Sequence, residues 1–275
     1  MTWNELEHLF NRALQFTFSR KKLLFTAPVL ILCGLVVVFC KSLARGSGNW
    51  IALSLTFLPI FICSALLITA GIVLTRVYHH EVKNLSFSFR RTFRESWDLM
   101  VQVAYLTLPL ILGYFVLWTL LGVFYLLKEI PGIGDFLGVV LSFGPFLLLL
   151  GSFVLSLLSV TLLFFLTPAV ALRSSAQFQV FETLLKRFRS SPFSNGVFFI
   201  LGILPVIVVV AMMMLAALVT GKSYFMAEHS FASAVQLFFI MLPFSILLSP
   251  AVIFFFNFSA ESHVWMQRKL KQENT

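Results

Sequence analysis

Leu162–Pro205 reads LLFFLTPAVALRSSAQFQVFETLLKRFRSSPFSNGVFFILGILP, and its sequence of apolar, basic and apolar runs decides the fold. An apolar helix leaves a lipid phase through Thr167-Pro168-Ala169. A basic amphipathic segment follows, and Ser191-Pro192 turns the chain into a second apolar helix. In the middle segment Phe178, Phe181, Leu184, Leu185 and Phe188 share one helical face, opposite Gln179, Glu182, Lys186 and Arg189. Such a helix sinks its rings to the acyl boundary while Lys186, Arg187 and Arg189 meet anionic headgroups. The plainer reading gives these cations topology alone.

Composition extends this reading to the whole chain. Of 275 residues, 59% are hydrophobic and 33 are Phe, against 11% charged, so the solvent for most of the chain is lipid. The net charge of +9 does not point to nucleic acid, because the cations lie in short stretches between apolar runs. Cys33, Cys40 and Cys63 fall inside apolar runs and read as packing residues. One membrane domain, 1–275, is expected, with no run long enough for a soluble one.

Six runs can each cross a hydrocarbon core of about 30 Å: about 23–40, 50–75, 99–127, 143–172, 195–219 and 234–258. The fourth apolar run starts at Phe136 and is too long for one straight crossing, so a break is expected at Gly144-Pro145, with 136–142 as a short surface helix. Before the first span, Trp3, Leu6, Phe10, Ala13, Leu14 and Thr17 form one face and Glu5, His8, Arg12 and Gln15 the other. A cleaved signal peptide ending at Ser42-Leu43-Ala44 is the competing reading; the long amphipathic n-region favours an uncleaved first span.

Cation placement sets the expected orientation. Arg12 to Lys22, Arg76 to Arg94, Arg173 to Arg189 and Arg268 to Lys271 hold sixteen of the 20 Lys and Arg residues. Lys41, Arg45, Lys128 and Lys222 lie in the other set of loops. The positive-inside bias therefore puts both termini in the cytoplasm of a bacterial inner membrane.

A repeat underlies the pattern. Even spans end in Thr69-Ala70-Gly71, Thr167-Pro168-Ala169 and Ser249-Pro250-Ala251, while odd spans carry Pro28, Pro109 and Pro205. Three tandem helical hairpins follow, each entered from a basic amphipathic segment. Thr167 and Ser249 are expected to help satisfy backbone groups freed by the prolines beside them.

Sites for chemistry are sparse. No Asp, Glu, Lys or Arg falls inside a span as bounded above, whereas coupled transporters hold coupling charge there. Ser152, Ser156 and Ser159, with Gly151, make a small-residue face suited to close helix packing. His79-His80-Glu81 is the best metal-like group, but adjacent histidines diverge on a helix, so no metal or other cofactor is expected. Asn84-Leu85-Ser86 and Asn257-Phe258-Ser259 match glycosylation acceptors on the cytoplasmic side, where none is added. Arg90, Arg91, Arg94, Lys186, Arg187 and Arg189 are the candidate surface for lipid headgroups or a partner.

The run from Phe164 to Pro205 resembles bacterial six-helix inner-membrane proteins known as domains of unknown function. Relatives of that group form the membrane portion of some glycerophosphodiester phosphodiesterases. The shared features are a helix ending in Pro-Ala, an amphipathic segment with a late serine, and a return span. The resemblance implies membrane association; no hydrolase domain is expected here, so no activity carries over. The expected protein is an all-α polytopic bundle without enzymatic activity, a lipid-associated scaffold or organiser. A transporter or permease subunit for an apolar or lipid-like substrate is the alternative.

Overall fold

The structure, a computed structural model, describes residues 3–44, 47–85, 89–131, 134, 143–172, 192–219 and 231–273. Among these residues there is no strand. The helices are α1 (Trp3–Gln15), α2 (Arg20–Ala44), α3 (Asn49–Val82), α4 (Phe89–Lys128), α5 (Gly144–Ala171), α6 (Pro192–Val219) and α7 (Phe231–Glu273). Six of them, α2 to α7, are long and apolar enough to cross a membrane. Their outward faces carry exposed side chains such as Leu112, Val116, Phe153, Leu157, Ile207 and Leu215. So many apolar side chains without protein cover require lipid around them.

The expected spans are all present, but several helices overrun them. α3 has 34 residues and α7 has 43, about 50 Å and 65 Å at 1.5 Å per residue. Neither meets a helix-stopping residue at the edge of its apolar run. α3 stops only at Asn84, which adopts φ 52°, the left-handed turn that asparagine tolerates at a helix C-terminus. α4 absorbs the basic segment before span 3, since no Gly or Pro lies between Phe89 and Pro109. The second hairpin is therefore entered by a continuous helix, and the first by the separate helix α1. The segment entering the third, 173–191, lies outside the described residues. α5 begins at Gly144 with Pro145 in its first turn, at the expected break; 136–142 lie outside the description.

The three even spans, α3, α5 and α7, all pack against one another. Each outer helix lies against the inner helix of its own hairpin and that of the hairpin before it. Thus α4 contacts α5 and α3, α6 contacts α7 and α5, and α2 contacts α3 and, closing the ring, α7. Three hairpins laid down in one rotational sense give this arrangement, the packing expected of tandem repeats. Among the described residues, the α5–α6 seam is the thinnest of these.

Close approach at the centre depends on small residues. The ring of Phe256 covers Gly71 so closely that a Cβ there would come within 2.3 Å of Cε1. Phe164 covers Gly202 in the same way, at 2.5 Å. Around these contacts Phe164 meets Phe255 (ring centroids 5.2 Å), Phe254 stacks on Phe258 (5.7 Å), and Phe198 meets Trp265 (5.6 Å). Edge-on and stacked rings of this kind add to what area burial alone supplies.

α1 seals one end of the bundle by packing on α7. Leu6, Leu9, Ala13 and Thr17 are buried, and Phe10 meets Phe254 at 4.9 Å. The apolar face expected from sequence is thus rotated: Leu9 joins it, while Trp3 and Leu14 are exposed. Trp3 and Leu14 are eleven residues apart, three turns, so they form a second, outward apolar edge.

Candidate functional site

The chemistry collects where α1, the start of α2, the C-terminal ends of α3 and α5, and the overhang of α7 meet. Lys22 is the centre of this end. It has 0% side-chain exposure, and its Nζ lies 2.5 Å from Glu81 Oε2. The ammonium also donates to the Phe16 carbonyl at 3.1 Å and stands 5.1 Å from the Tyr78 ring centroid. The Asn257 side-chain oxygen lies beyond at 3.5 Å, and its amide donates to the Ala13 carbonyl at 3.2 Å. A buried ammonium is tolerated only with such a set of partners. In sequence Lys22 is merely the last of three cations before an apolar run; only α1 folding back reveals its burial.

A second carboxylate completes the end. The Tyr78 hydroxyl donates to Glu261 Oε1 at 2.6 Å, and Arg12 Nε lies 3.6 Å from the same oxygen. Glu81 and Glu261 each stand twelve residues after the hydroxyl residue of their repeat, Thr69 and Ser249. Equivalent positions in two hairpins therefore hold carboxylates, each anchoring a cation from the N-terminal segment. The equivalent position in the second hairpin, twelve residues after Thr167, is Gln179, which lies outside the described residues.

Arg76 ties the neighbouring helices. Its Nε donates to the Ala171 carbonyl in the last turn of α5 at 3.2 Å, and Nη1 donates to the Glu95 carbonyl and Ser96 Oγ, both at 3.2 Å. Helix-terminal carbonyls lack helical donors, so a guanidinium fork fits there.

Above this floor opens a cleft of about 970 Å³. Arg12, Lys83, Arg268 and Lys269 bring positive charge to it, and Glu5 and Glu261 bring the opposing carboxylates. Leu9, Val82, Val264 and Trp265 provide apolar wall, with Lys269 Nζ 5.7 Å from the Trp265 ring centroid. A smaller cavity of about 250 Å³, lined by Arg76, His80 and Glu95, adjoins it at His79 and Leu172.

The residues singled out from sequence are scattered. Arg94 is exposed on α4; the side chains of Arg90 and Arg91, and all of Lys186, Arg187 and Arg189, lie outside the described residues. Ser152, Ser156 and Ser159 are buried on α5, which packs on α3 and α4. The hydroxyls of Ser152 and Ser156 donate back to Leu148 and Ser152 carbonyls. A Cβ on Gly151 would stand 3.2 Å from Leu117 of α4. His79 and His80 diverge, their rings nearly perpendicular at 89°, with His80 Nδ1 2.7 Å from the Arg76 carbonyl. Among the described residues no three His, Cys, Asp or Glu side chains converge on a common point. Asn257, within one glycosylation-like triplet, is fully buried.

Six lipid-length helices, apolar outward faces and a charged overhang at one end define an integral, multi-pass membrane protein with an all-α fold. Comparisons with protein families, curated proteins and solved structures give no match.

Proposed function

We propose that this protein is a non-enzymatic organiser of a bacterial inner-membrane surface, working through its basic end at the cytoplasmic face. One observation carries the reading. Phe164 of α5 packs on Phe255 of α7 and Phe256 of α7 closes on Gly71 of α3, while the buried Lys22–Glu81 pair and the two cavities described above lie at one end. A substrate path would run between those inner helices, so the transporter alternative has less in its favour. The basic segments around Arg90, Arg91, Arg94, Lys186, Arg187 and Arg189 would hold anionic lipid at that end, each cation near such a surface contributing about 1 kcal/mol.

The test joins lipid retention to flux. The purified protein should carry anionic lipid through neutral detergent, and glutamine at those six positions should release most of it. Proteoliposomes should show no lipid or solute flux above empty vesicles. Flux that depends on the protein would replace the organiser with a transporter.

A further inference from the structure

We infer that the cleft between α1, α3 and the overhang of α7 is a binding site for a phosphate anion, fitted to the headgroup of an anionic phospholipid. The inference deepens the reading above with a second set of residues. Four cations face two carboxylates in the cleft, and Glu261 is already met by Arg12 at 3.6 Å and by the Tyr78 hydroxyl at 2.6 Å. With Glu261 met by Arg12 and Tyr78, the described lining leaves Lys83, Arg268 and Lys269 against the carboxylate of Glu5. At about 970 Å³ the cleft lies in the size range of small-molecule sites.

Depth argues for a lipid headgroup as the source of the phosphate. The outer edge of α1 exposes Trp3 at 77% and Leu14 at 42%, with Phe18 at 68% just beyond the helix. An amphipathic helix showing such an edge beside a polar face lies at the acyl–headgroup boundary. The same helix supplies Arg12, His8 and Leu9 to the cleft, which puts the cleft at headgroup level. Basic pockets between helices at that level are suited to acidic headgroups. Its mixed wall fits as well: ammonium and guanidinium groups for a phosphate, and Val82, Val264 and Trp265 for glycerol carbons.

The experiment uses the full chain in neutral detergent with three probes: phosphatidylglycerol, phosphatidylcholine and glycerol phosphate. Native mass spectrometry reads binding, and thermal unfolding checks that each variant folds. The triple variant K83Q/R268Q/K269Q spares Arg12, which holds Glu261. It should bind phosphatidylglycerol at least about tenfold more weakly than the parent chain. Control K41Q/K128Q, with charge removed from the other end, should bind as the parent does. Preference for phosphatidylglycerol over glycerol phosphate identifies the lipid. The reverse preference, still lost in the triple variant, keeps a phosphate site and makes its ligand soluble. Equal binding by parent and triple variant overturns the site. If the six basic-belt substitutions leave lipid retention intact while the cleft substitutions abolish it, the surface reading fails and the cleft stands.

Discussion

The hydroxyl of Ser259 on α7 donates to the backbone carbonyl of Phe164 on α5. Phe164 stands four residues before Pro168, whose nitrogen carries no hydrogen, so this carbonyl has lost its own helical donor. The hydroxyls beside the even-span prolines act elsewhere: Thr167 donates to Leu163 and Ser249 to Ser245, each one residue short of the freed carbonyl. A proline on one repeat is thus satisfied by a serine on the next. In lipid that exchange matters, because no water can take the carbonyl.

Ser259→Ala should therefore lower stability by about 1 kcal/mol, the usual scale for hydrogen bonds between membrane helices. In a Pro168→Ala background the restored N–H serves Phe164, and the same substitution should cost clearly less. Unfolding of the four chains in one detergent measures the coupling. Equal losses in both backgrounds would separate Ser259 from the proline.

Gly71→Ala should destabilise by about 1–3 kcal/mol, since the new Cβ meets the Phe256 ring in a packed core. Gly113→Ala is the internal control, because its Cβ would find only Leu155 at 3.8 Å. There the better helix propensity of alanine should leave stability unchanged or raised by up to about 1 kcal/mol. The difference in unfolding temperature between the two variants is the readout.

Lys22→Met leaves the Glu81 carboxylate without its buried partner, and Glu81→Gln does the same to the ammonium. Breaking one side of a buried pair costs about 3–5 kcal/mol. Each single variant should lose most of its folded monomer on mild heating. The double variant K22M/E81Q should recover part of the loss, which a simple sum of two independent defects would not allow.

Topology is checked directly by reporter fusions. Fusions at Thr275 and within 173–192 should report cytoplasm, and fusions at Gly46 or Gly132 the exterior. An exterior signal at residue 180 would invert the bundle and move the charged end to the other face.

Local sequence sets the elements: six apolar helices, the start of α5 at Gly144-Pro145, and the pairing of adjacent spans into hairpins. Each follows from local quantities, namely apolar run length, proline and glycine placement, and loop length, which act within a few turns of chain. Among the described residues, the gathering of Arg12, Lys22, Arg76, Lys83, Arg268 and Lys269 at one end was legible in the same way. The repeat was visible at Thr69, Thr167 and Ser249, but what their neighbours bond to was not.

The site, by contrast, exists only through packing between distant parts of the chain. Whether Lys22 is a solvated flank or a buried ammonium depends on α1 folding across the bundle to meet Asn257, more than two hundred residues away. Trp3 and Leu14 lost their place in the apolar face to Leu9 for the same reason, since α7 chose which side of α1 to cover. The pairing of Arg12 with Glu261, and the cleft above it, join helices whose sequences carry no mark of one another. Apolar periodicity states that a face is buried; only packing across long sequence separation states against what.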